Sequence, residues 1–330
     1  MGVASSQWSD LIFPTMIRLF LFLMFLCLAS PVVADSGLKI LLVVGSGGTE
    51  EYQTVFKETT ALWTEAAKKG ESTIEIIGLD GPEDDAKRLR ESIAAEKSPE
   101  LWVVLIGHGT FDGRVAKFNV RGPDFTDTDL AGWLAEYKGQ LTLINTASAS
   151  GSFIREVAKP GRIVITATKN EGEVFFTRFG RFFAEAVGGN LEADLDNDEQ
   201  VSLLESFVFA SNRVALFYKD DGRLATEHAL IDDNGDTLGS RAEWFEGTTP
   251  TQSPSPEAKP DGDLAAQKVL VKNAFERLLT PDQTKRRDEL EREVVTLRRS
   301  KSSLDEADYY AKLEALLFEL AKLYDAVKGS

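Results

Sequence analysis

The sequence predicts an α/β fold with a mostly parallel sheet. Short apolar runs alternate with segments of helical spacing between residues 38 and 217, and this alternation is typical of strands joined by helical crossovers. The apolar runs end in glycine or small polar residues, as buried parallel strands do where they enter a loop. A charged, helical texture follows near the end of the chain, so we also expect a C-terminal α-helical hairpin.

The elements follow one another in the order that a wound parallel sheet requires. In such sheets the functional residues lie in loops beyond the carboxyl ends of the strands. Those loops hold a Gly45–Gly48 turn, His108 and Ser148. The turn does not match the dinucleotide-binding fingerprint, because Glu50 stands where the third glycine is required. Strands are predicted at 38–44, 73–79, 101–106, 141–144 and 162–167, and helices at 55–69, 84–95, 128–137, 174–187 and 203–217.

Residues 1–34 have the features of a secretory signal peptide. A short basic segment precedes the apolar run Leu19–Leu28, and small residues lead up to Ala34. We expect cleavage after Ala34, and therefore a periplasmic or extracellular protein with no stable membrane insertion. The run is short for a membrane span, so an uncleaved anchor is the alternative. Translation starts at Met1 or Met16, because the residues before Met16 do not resemble a signal.

Composition excludes several classes of function. The 53 acidic residues outnumber the 37 Lys and Arg residues and give a net charge of −16, so neither nucleic acid nor anionic lipid is expected as a partner. The single cysteine, Cys27, lies inside the apolar leader. The mature chain is therefore expected to have no disulfide, no thiolate metal ligand and no thiol nucleophile.

The mature chain divides into three predicted parts. Residues 35–246 carry the α/β pattern, and residues 247–264 are rich in Pro, Ser and Thr, which is typical of a linker. Residues 265–330 predict the helical hairpin, which has a capping box at Thr280–Gln283 and a second cap at Ser303–Glu306. Two helices bury little alone, so we expect the hairpin to dock on the main domain, on a partner or on a second copy. Its facing apolar stripes are Leu290, Val294 and Leu297 on one helix, and Tyr310, Leu313, Leu317, Leu320 and Tyr324 on the other.

Two short motifs carry the candidate chemistry. The strand that ends at Ile106 is followed by Gly-His108-Gly109, and the fourth strand runs into Ala147-Ser148-Ala-Ser-Gly-Ser. In this order and spacing the chain resembles the caspases, legumains and related C13-type cysteine peptidases, whose second motif has Cys at the position of Ser148. The stretch Lys117–Asp124 resembles bacterial members. The resemblance covers about residues 38–245 and excludes the helical tail.

The resemblance implies a caspase-like three-layer sandwich and a catalytic pair, here His108 and Ser148. In the family the His takes the proton of the Cys, and the thiolate attacks a peptide carbonyl. Backbone N–H groups, here of Gly109 and Ser148, would form the oxyanion hole. A hydroxyl is far harder to deprotonate than a thiol and needs a base that a third group orients. We therefore expect a catalytically inactive homologue that binds peptide or protein segments in the former substrate groove.

Two other functions stay open at this point. One is an active hydrolase that uses a Ser148–His108 dyad, for which Ser148→Ala would abolish activity. The other is a structural protein whose subunits assemble as a homo-oligomer through the hairpin at residues 265–330. No cofactor is required, and Ca²⁺ is the ion that the sequence suggests.

One acidic loop has the ligand spacing of an EF-hand calcium site. Side-chain oxygens stand at positions 1, 3, 5, 7, 9 and 12 of a twelve-residue loop with helices predicted on both sides. Position six, where a calcium loop needs glycine, is Glu199. The alternative is a solvated acidic loop in which Ser202–Glu205 is an ordinary capping box. The candidate ligands are Asp194, Asp196, Asp198, Gln200, Ser202 and Glu205.

A second acidic stretch repeats this spacing more weakly. Asp232, Asn234 and Asp236 stand at positions 1, 3 and 5, and Glu243 falls at position 12. The Asn-Gly pair within it is a strong turn signal. A plain turn is therefore the favoured interpretation of this stretch, with a weaker metal site as the alternative.

Overall fold

The structure, a computed structural model, describes residues 37–81 and 84–328, with side chains to residue 326. The predicted signal peptide, its cleavage site after Ala34, Cys27 and the two possible start codons lie outside the described residues. Within the described part of the chain, no helix combines the length and the apolar character that crossing a membrane requires.

A six-stranded sheet forms the centre of the molecule. Its strands are β1 (Leu38–Val44), β2 (Thr73–Ile77), β3 (Glu100–Ile106), β7 (Gln140–Asn145), β8 (Arg162–Thr166) and β9 (Leu230–Asp232). The order is β2-β1-β3-β7-β8-β9, and β9 alone among these strands runs antiparallel to its neighbour. The remaining described strands are β4 (Gly109–Phe111), β5 (Ala116–Phe118), β6 (Phe125–Thr126), β10 (Phe245–Glu246) and β11 (Thr249–Pro250).

Helices cover both faces of this sheet. Alternate residues of β1 point to opposite sides, since Ile40 and Leu42 join one buried cluster and Leu41 and Val43 join the other. The predicted three-layer α/β sandwich with a mostly parallel sheet is therefore confirmed. The described helices are α1 (Glu50–Lys69), α2 (Asp85–Ala95), α3 (Asp127–Trp133), α4 (Ser152–Val157), α5 (Phe179–Val187), α6 (Leu203–Asp220), α7 (Pro281–Arg299) and α8 (Glu306–Lys328).

A small antiparallel sheet of β4, β5 and β6 follows directly after His108. The sequence did not predict it, because strands of two or three residues show no apolar period. The stretch Lys117–Asp124 contains the end of β5 and the turn that leads to β6, and in this turn Asp124 accepts from the side-chain amide of Asn119 and from the N–H of Val120. The N–H of Asn119 donates to the carbonyl of His108 at 3.0 Å, so this sheet supports the loop that carries the histidine.

Residues 247–280 contain little regular structure, and their last part is anchored to the main body. Asp261 and Ala265 are both 0% exposed, and Ala265 and Leu270 belong to a core cluster of the sheet. The described residues form one compact unit. The predicted boundaries at residues 246 and 264 stay predictions, and the hairpin helices themselves begin at Pro281.

The C-terminal helical hairpin is confirmed. Thr280 caps α7 through the predicted capping box, with Pro281 at the first helical position. The second predicted cap is wrong, since Ser303 lies in a 3-10 turn and Asp305 accepts from the N–H of Ala307. The predicted stripe on α7 is buried, whereas on α8 the predicted stripe is wrong at two of its five positions, where the preceding residue is the more buried one. Tyr310 and Leu317 are exposed, whereas Tyr309, Leu313, Leu316, Leu320 and Tyr324 are buried or half-buried.

The hairpin is tied to the preceding segment by polar contacts. Arg299 pairs with Asp263 at 2.6 Å, and Gln267 donates to the carbonyl of Asp288 at 2.7 Å. Phe318 on α8 is 60% exposed. Assembly of a homo-oligomer through residues 265–330 stays a prediction.

Candidate functional site

The candidate site lies at the carboxyl edge of the sheet. Strands β3 and β7 are parallel neighbours, so the loops that follow them emerge side by side and bring Gly109 against Ser148. A Cβ atom on Gly109 would lie 2.0 Å from the carbonyl oxygen of Ser148. Only glycine fits there, because a side chain would meet backbone atoms that cannot move aside.

The Ser148 hydroxyl is buried and fully engaged. Ser148 is 3% exposed, and its Oγ accepts from the N–H of Gly109 at 3.0 Å and donates to the carbonyl of Gly109 at 2.9 Å. The hydroxyl has one proton to donate, and that proton is directed at a backbone carbonyl. Ser148 therefore links the loop after β7 to the loop after β3 by hydrogen bonds.

The backbone beside Ser148 is held in a sparsely populated conformation. Ala149 has φ of +52°, which is uncommon for a residue with a side chain. Its N–H donates to the carbonyl of Glu173 at 2.8 Å. The Glu173 carboxylate in turn contacts His228 Nδ1 at 2.5 Å and Lys169 Nζ at 3.3 Å. Glu173 and His228 thus support the loop that shapes the site.

The ring of His108 meets a different environment, made of aromatic side chains. Its centroid lies 4.6 Å from that of Tyr52, 5.2 Å from that of Phe56 and 6.0 Å from that of Phe176. Burial among these rings lowers the pKa of His108, against a hydrogen bond to the backbone of Gly47 that raises it. The imidazole is therefore held mainly neutral near pH 7.

The predicted catalytic pair shares an edge but not a hydrogen bond. Among the contacts of the described residues, none joins the ring of His108 to the hydroxyl of Ser148. Of the two predicted oxyanion donors, the N–H of Gly109 is used by Ser148 Oγ. The catalytic and oxyanion roles of these residues stay predictions.

A cavity of about 250 Å³ opens beside His108 at the same edge. Apolar and aromatic side chains form its walls, and two guanidinium groups border it. The guanidinium of Arg178 lies 3.9 Å from the ring centroid of Phe217, whereas Arg181 pairs with Glu58 and Glu185. The lining residues are Val55, Phe56, Thr59, Ile106, Gly107, Thr146, Phe176, Thr177, Arg178, Gly180, Arg181, Phe182 and Phe217.

The segment that closes this cavity is held by a buried carboxylate. Glu227 is 3% exposed, and it accepts from the N–H groups of Arg178 and Phe179 and from the hydroxyl of Tyr218. Burial raises the pKa of Glu227 to about 7, against these hydrogen bonds, which lower it. Sequence reasoning missed Phe176, Arg178 and Glu227. Phe176 and Arg178 were missed because a helix was predicted over 174–187, whereas α5 begins only at Phe179.

The first acidic loop brings some of its predicted ligands together. Oxygens of Asp194, Asp196 and Asp198 lie within 4.8 Å of one another, and Asp196 and Asp198 are exposed. Glu199 adopts φ of +64°, which is the conformation that glycine usually takes at position six. Although Asp196 is exposed as a whole residue, partial desolvation of its carboxyl, with the nearby Glu205 carboxylate, raises the pKa of Asp196 to about 6.

The later positions of this loop are bonded within the protein. Ser202 and Glu205 form the capping box of α6, and Glu205 Oε1 also accepts from the N–H of Leu195 at 2.8 Å. The side-chain oxygen of Gln200 accepts from the N–H of Asn273 at 3.1 Å. The capping-box alternative is thus present, and calcium binding at this loop stays a prediction.

The second acidic stretch forms the turn after β9. Asp232 is 0% exposed, and its Oδ1 accepts from the N–H of Gly235 at 2.8 Å. Burial raises the pKa of Asp232 to about 6, and Asp236 adds to the rise. Glu243 does not join this turn, since its side chain is 65% exposed and pairs with Arg241 at 3.6 Å. The stretch therefore forms a turn, as the sequence favours, and the weaker metal site of Asp232, Asn234, Asp236 and Glu243 stays a prediction.

Comparisons with known proteins give a likeness in fold alone. The chain is similar to the crystal structure of the Drosophila initiator caspase Dronc, with 13% identity, a TM-score of 0.40, and coverage of 60% of this chain and 80% of that one. It is also similar to the crystal structure of caspase-1 from Spodoptera frugiperda, with 14% identity, a TM-score of 0.40, and coverage of 61% and 87%. No family model and no curated protein matches the chain.

Proposed function

We propose that this chain is an exported, caspase- or legumain-like protein of the C13 type that does not hydrolyse peptides and instead binds peptide segments at the edge beside His108. The proposal includes a Ser at the position of the family's catalytic Cys. It also includes removal of residues 1–34 and a periplasmic or extracellular location. The sequence motifs around His108 and Ser148 support the family assignment.

One observation carries the loss of catalysis: both hydrogen bonds of the Ser148 hydroxyl go to the backbone of Gly109. To act as a nucleophile, Ser148 would have to break a buried hydrogen bond and transfer its proton to a base. His108 is the available base, and its ring is held among Tyr52, Phe56 and Phe176. No third group among the described residues orients His108 toward Ser148, as a serine-based mechanism requires.

The cavity beside His108 supports binding. Its volume of about 250 Å³ suits one large side chain of a peptide whose backbone crosses the sheet edge. Ligand sites of this kind combine apolar walls with a few polar groups that fix orientation. Arg178 supplies such a group, because its guanidinium forms no ion pair within the described part of the chain. We therefore expect a preference for a peptide side chain that ends in a carboxylate.

The test is binding of a fluorescent peptide library to the full mature chain, measured by polarisation. We expect saturable binding of peptides that carry Glu or Asp, with loss of affinity in Val55→Trp, which fills the cavity. Leu191→Trp is the matched control, since Leu191 is 62% exposed and does not line the cavity. Arg178→Gln should lower the affinity for acidic peptides by about tenfold, as the loss of one charge-assisted contact implies, and leave the affinity for neutral peptides unchanged.

Absence of binding to every peptide would contradict the proposal. Equal affinity of the wild-type protein and Val55→Trp would place any bound peptide outside the cavity and would also contradict it.

A further inference from the structure

The turn after β9 and the nearby Asp261 bring four carboxylates together, three on buried residues and one, that of Asp236, on a half-buried residue. Asp232, Asp233 and Asp261 are 0%, 3% and 0% exposed. The Oδ2 atom of Asp236 is also buried. Four carboxylates without cations would repel one another strongly in so little solvent. What each one bonds to therefore decides how the region is stabilised.

Two of the four carboxylates are fully satisfied by donors of the protein. Asp233 accepts from the N–H groups of Gly262, Leu264 and Ala265 at 2.8, 2.7 and 2.9 Å. Asp261 accepts from the N–H groups of Asp233 and Asn234 and from the Ser240 hydroxyl, at 3.1, 3.3 and 2.6 Å. These bonds join the β9 turn to the segment that leads to the C-terminal hairpin.

The other two carboxylates are each satisfied on one oxygen. Asp232 Oδ1 accepts from the N–H of Gly235 at 2.8 Å, and Asp236 Oδ1 accepts from the N–H of Leu238 at 2.9 Å. The backbone N–H of Thr237 also lies close to the Asp232 carboxylate. The Oδ2 atom of each is buried and has no hydrogen-bond partner in the described residues. No other carboxylate oxygen of residues 37–81 or 84–326 is in that state.

Neither unpaired oxygen is compensated by a cationic side chain. Asp232 and Asp236 take part in no ion pair within the described residues, whereas many exposed carboxylates of the chain do. A buried acceptor without a partner is costly, and a charged one more so. Two such oxygens in one turn, four residues apart, are the environment that a bound cation neutralises.

We propose that the β9 turn binds a divalent cation, calcium, through Asp232 Oδ2 and Asp236 Oδ2. Asn234 stands between them in the 1, 3, 5 spacing that calcium loops use, and its Oδ1 accepts from the N–H of Asp236 at 2.8 Å, so it holds the shape of the turn. Calcium takes six to eight oxygen ligands, so backbone carbonyls and water would supply the rest. With Glu243 exposed and paired with Arg241, the ligand set is short, and the dissociation constant falls in the weak extracellular range of about 10⁻⁴ to 10⁻³ M.

Bound calcium would act on the docking of the C-terminal segment. Asp233 and Asp261 lie next to the proposed ligands and hold residues 261–265 against the main body. Neutralising Asp232 and Asp236 removes repulsion from this junction. The inference does not depend on peptide binding or on the absence of hydrolysis.

The experiment is calcium titration of the full mature chain after chelator treatment, followed by calorimetry and by thermal unfolding. At 10 mM CaCl₂ we expect a rise in Tm of about 2–5 °C, as an ion of this affinity implies for a chain of this size. NaCl of equal ionic strength controls for screening of the acidic surface. Asp232→Asn and Asp236→Asn keep the side-chain shape, so each should fold and lose most of the calcium-dependent rise.

The exposed Asp194 cluster supplies the matched control. Asp194→Asn should keep the calcium-dependent rise, because its site is separate from the β9 turn. A rise that is lost in Asp194→Asn and kept in Asp232→Asn would overturn the proposal. It would equally be overturned by a wild-type protein that shows no calcium-dependent change in heat or Tm, since the two carboxyls would then be stabilised by a shared proton or by water.

Discussion

His108 and Ser148 follow neighbouring strands and reach the same edge of the sheet, yet their side chains meet opposite environments. Ser148 is buried, and backbone groups of Gly109 engage its hydroxyl as donor and as acceptor. His108 lies among aromatic rings beside a cavity of about 250 Å³. The Ser148 half of the site is therefore a structural contact between two loops, whereas the His108 half keeps the features of a binding surface.

The substitution expected to destabilise the protein most is at Gly109, where the loop after β3 contacts Ser148. In Gly109→Ala the new Cβ would lie 2.0 Å from the carbonyl oxygen of Ser148, and backbone has to move to relieve this overlap. We expect the free energy of unfolding to fall by about 3 kcal/mol or more. Chemical denaturation measures it, with Gly132→Ala as control, because a Cβ on Gly132 meets nothing within 4 Å. A fall of similar size in both variants would contradict a tight contact between the two loops.

A second prediction separates a structural hydroxyl from a reactive one. Ser148→Ala leaves the buried N–H and carbonyl of Gly109 without their side-chain partner, so the free energy of unfolding should fall by about 1–3 kcal/mol. Ser152 is the matched control, since it is also buried and its hydroxyl has no partner in the described residues. Ser152→Ala should be neutral or slightly stabilising. Equal losses of unfolding free energy from the two substitutions would contradict a structural role for the Ser148 hydroxyl.

Most of the architecture was predictable because its signals are local. The strand at 101–106 is apolar throughout and that at 38–44 is apolar except for Lys39, as is typical of strands covered on both faces. The proximity of His108 and Ser148 followed from the rule that parallel strands end at one edge. The bonds between Ser148 and Gly109 were not predictable, because backbone donors leave no mark in a sequence. Tyr309 was missed in favour of Tyr310, since two adjacent aromatic residues fit a helical stripe almost equally.

A third prediction concerns Glu227, the buried carboxylate that holds the segment lining the cavity beside His108. The raised pKa of Glu227, about 7, means that the folded state binds more protons than the unfolded state between about pH 4.5 and 7. The contribution of Glu227 to stability therefore falls as pH rises through that window. The free energy of unfolding of Glu227→Gln, taken relative to that of the wild-type protein, should therefore rise by on the order of 1–2 kcal/mol between pH 5 and pH 8. Urea unfolding at both pH values measures it, and a constant difference between the two proteins would contradict a raised pKa.

The smallest expected effect is the titration of His108. Burial lowers its pKa below the ordinary value, so the unfolded state binds more protons in the window below about pH 6.5. Stability from this group rises with pH through the window and is lost as pH falls. The free energy of unfolding of the wild-type protein minus that of His108→Gln should therefore be larger at pH 7.5 than at pH 5. The change in this difference should be less than about 1 kcal/mol. The reverse order would indicate a histidine stabilised in its charged form.

If the edge beside His108 binds peptides without cutting them, a hydrolysis assay should detect no product. The purified mature protein and Ser148→Ala are each incubated with a mixed fluorogenic peptide panel, with and without calcium. We predict no cleavage by either protein under any condition, because the Ser148 proton is held by a backbone carbonyl. Cleavage by the wild-type protein that Ser148→Ala abolishes would contradict the claim and would establish a Ser148-dependent hydrolase on this fold.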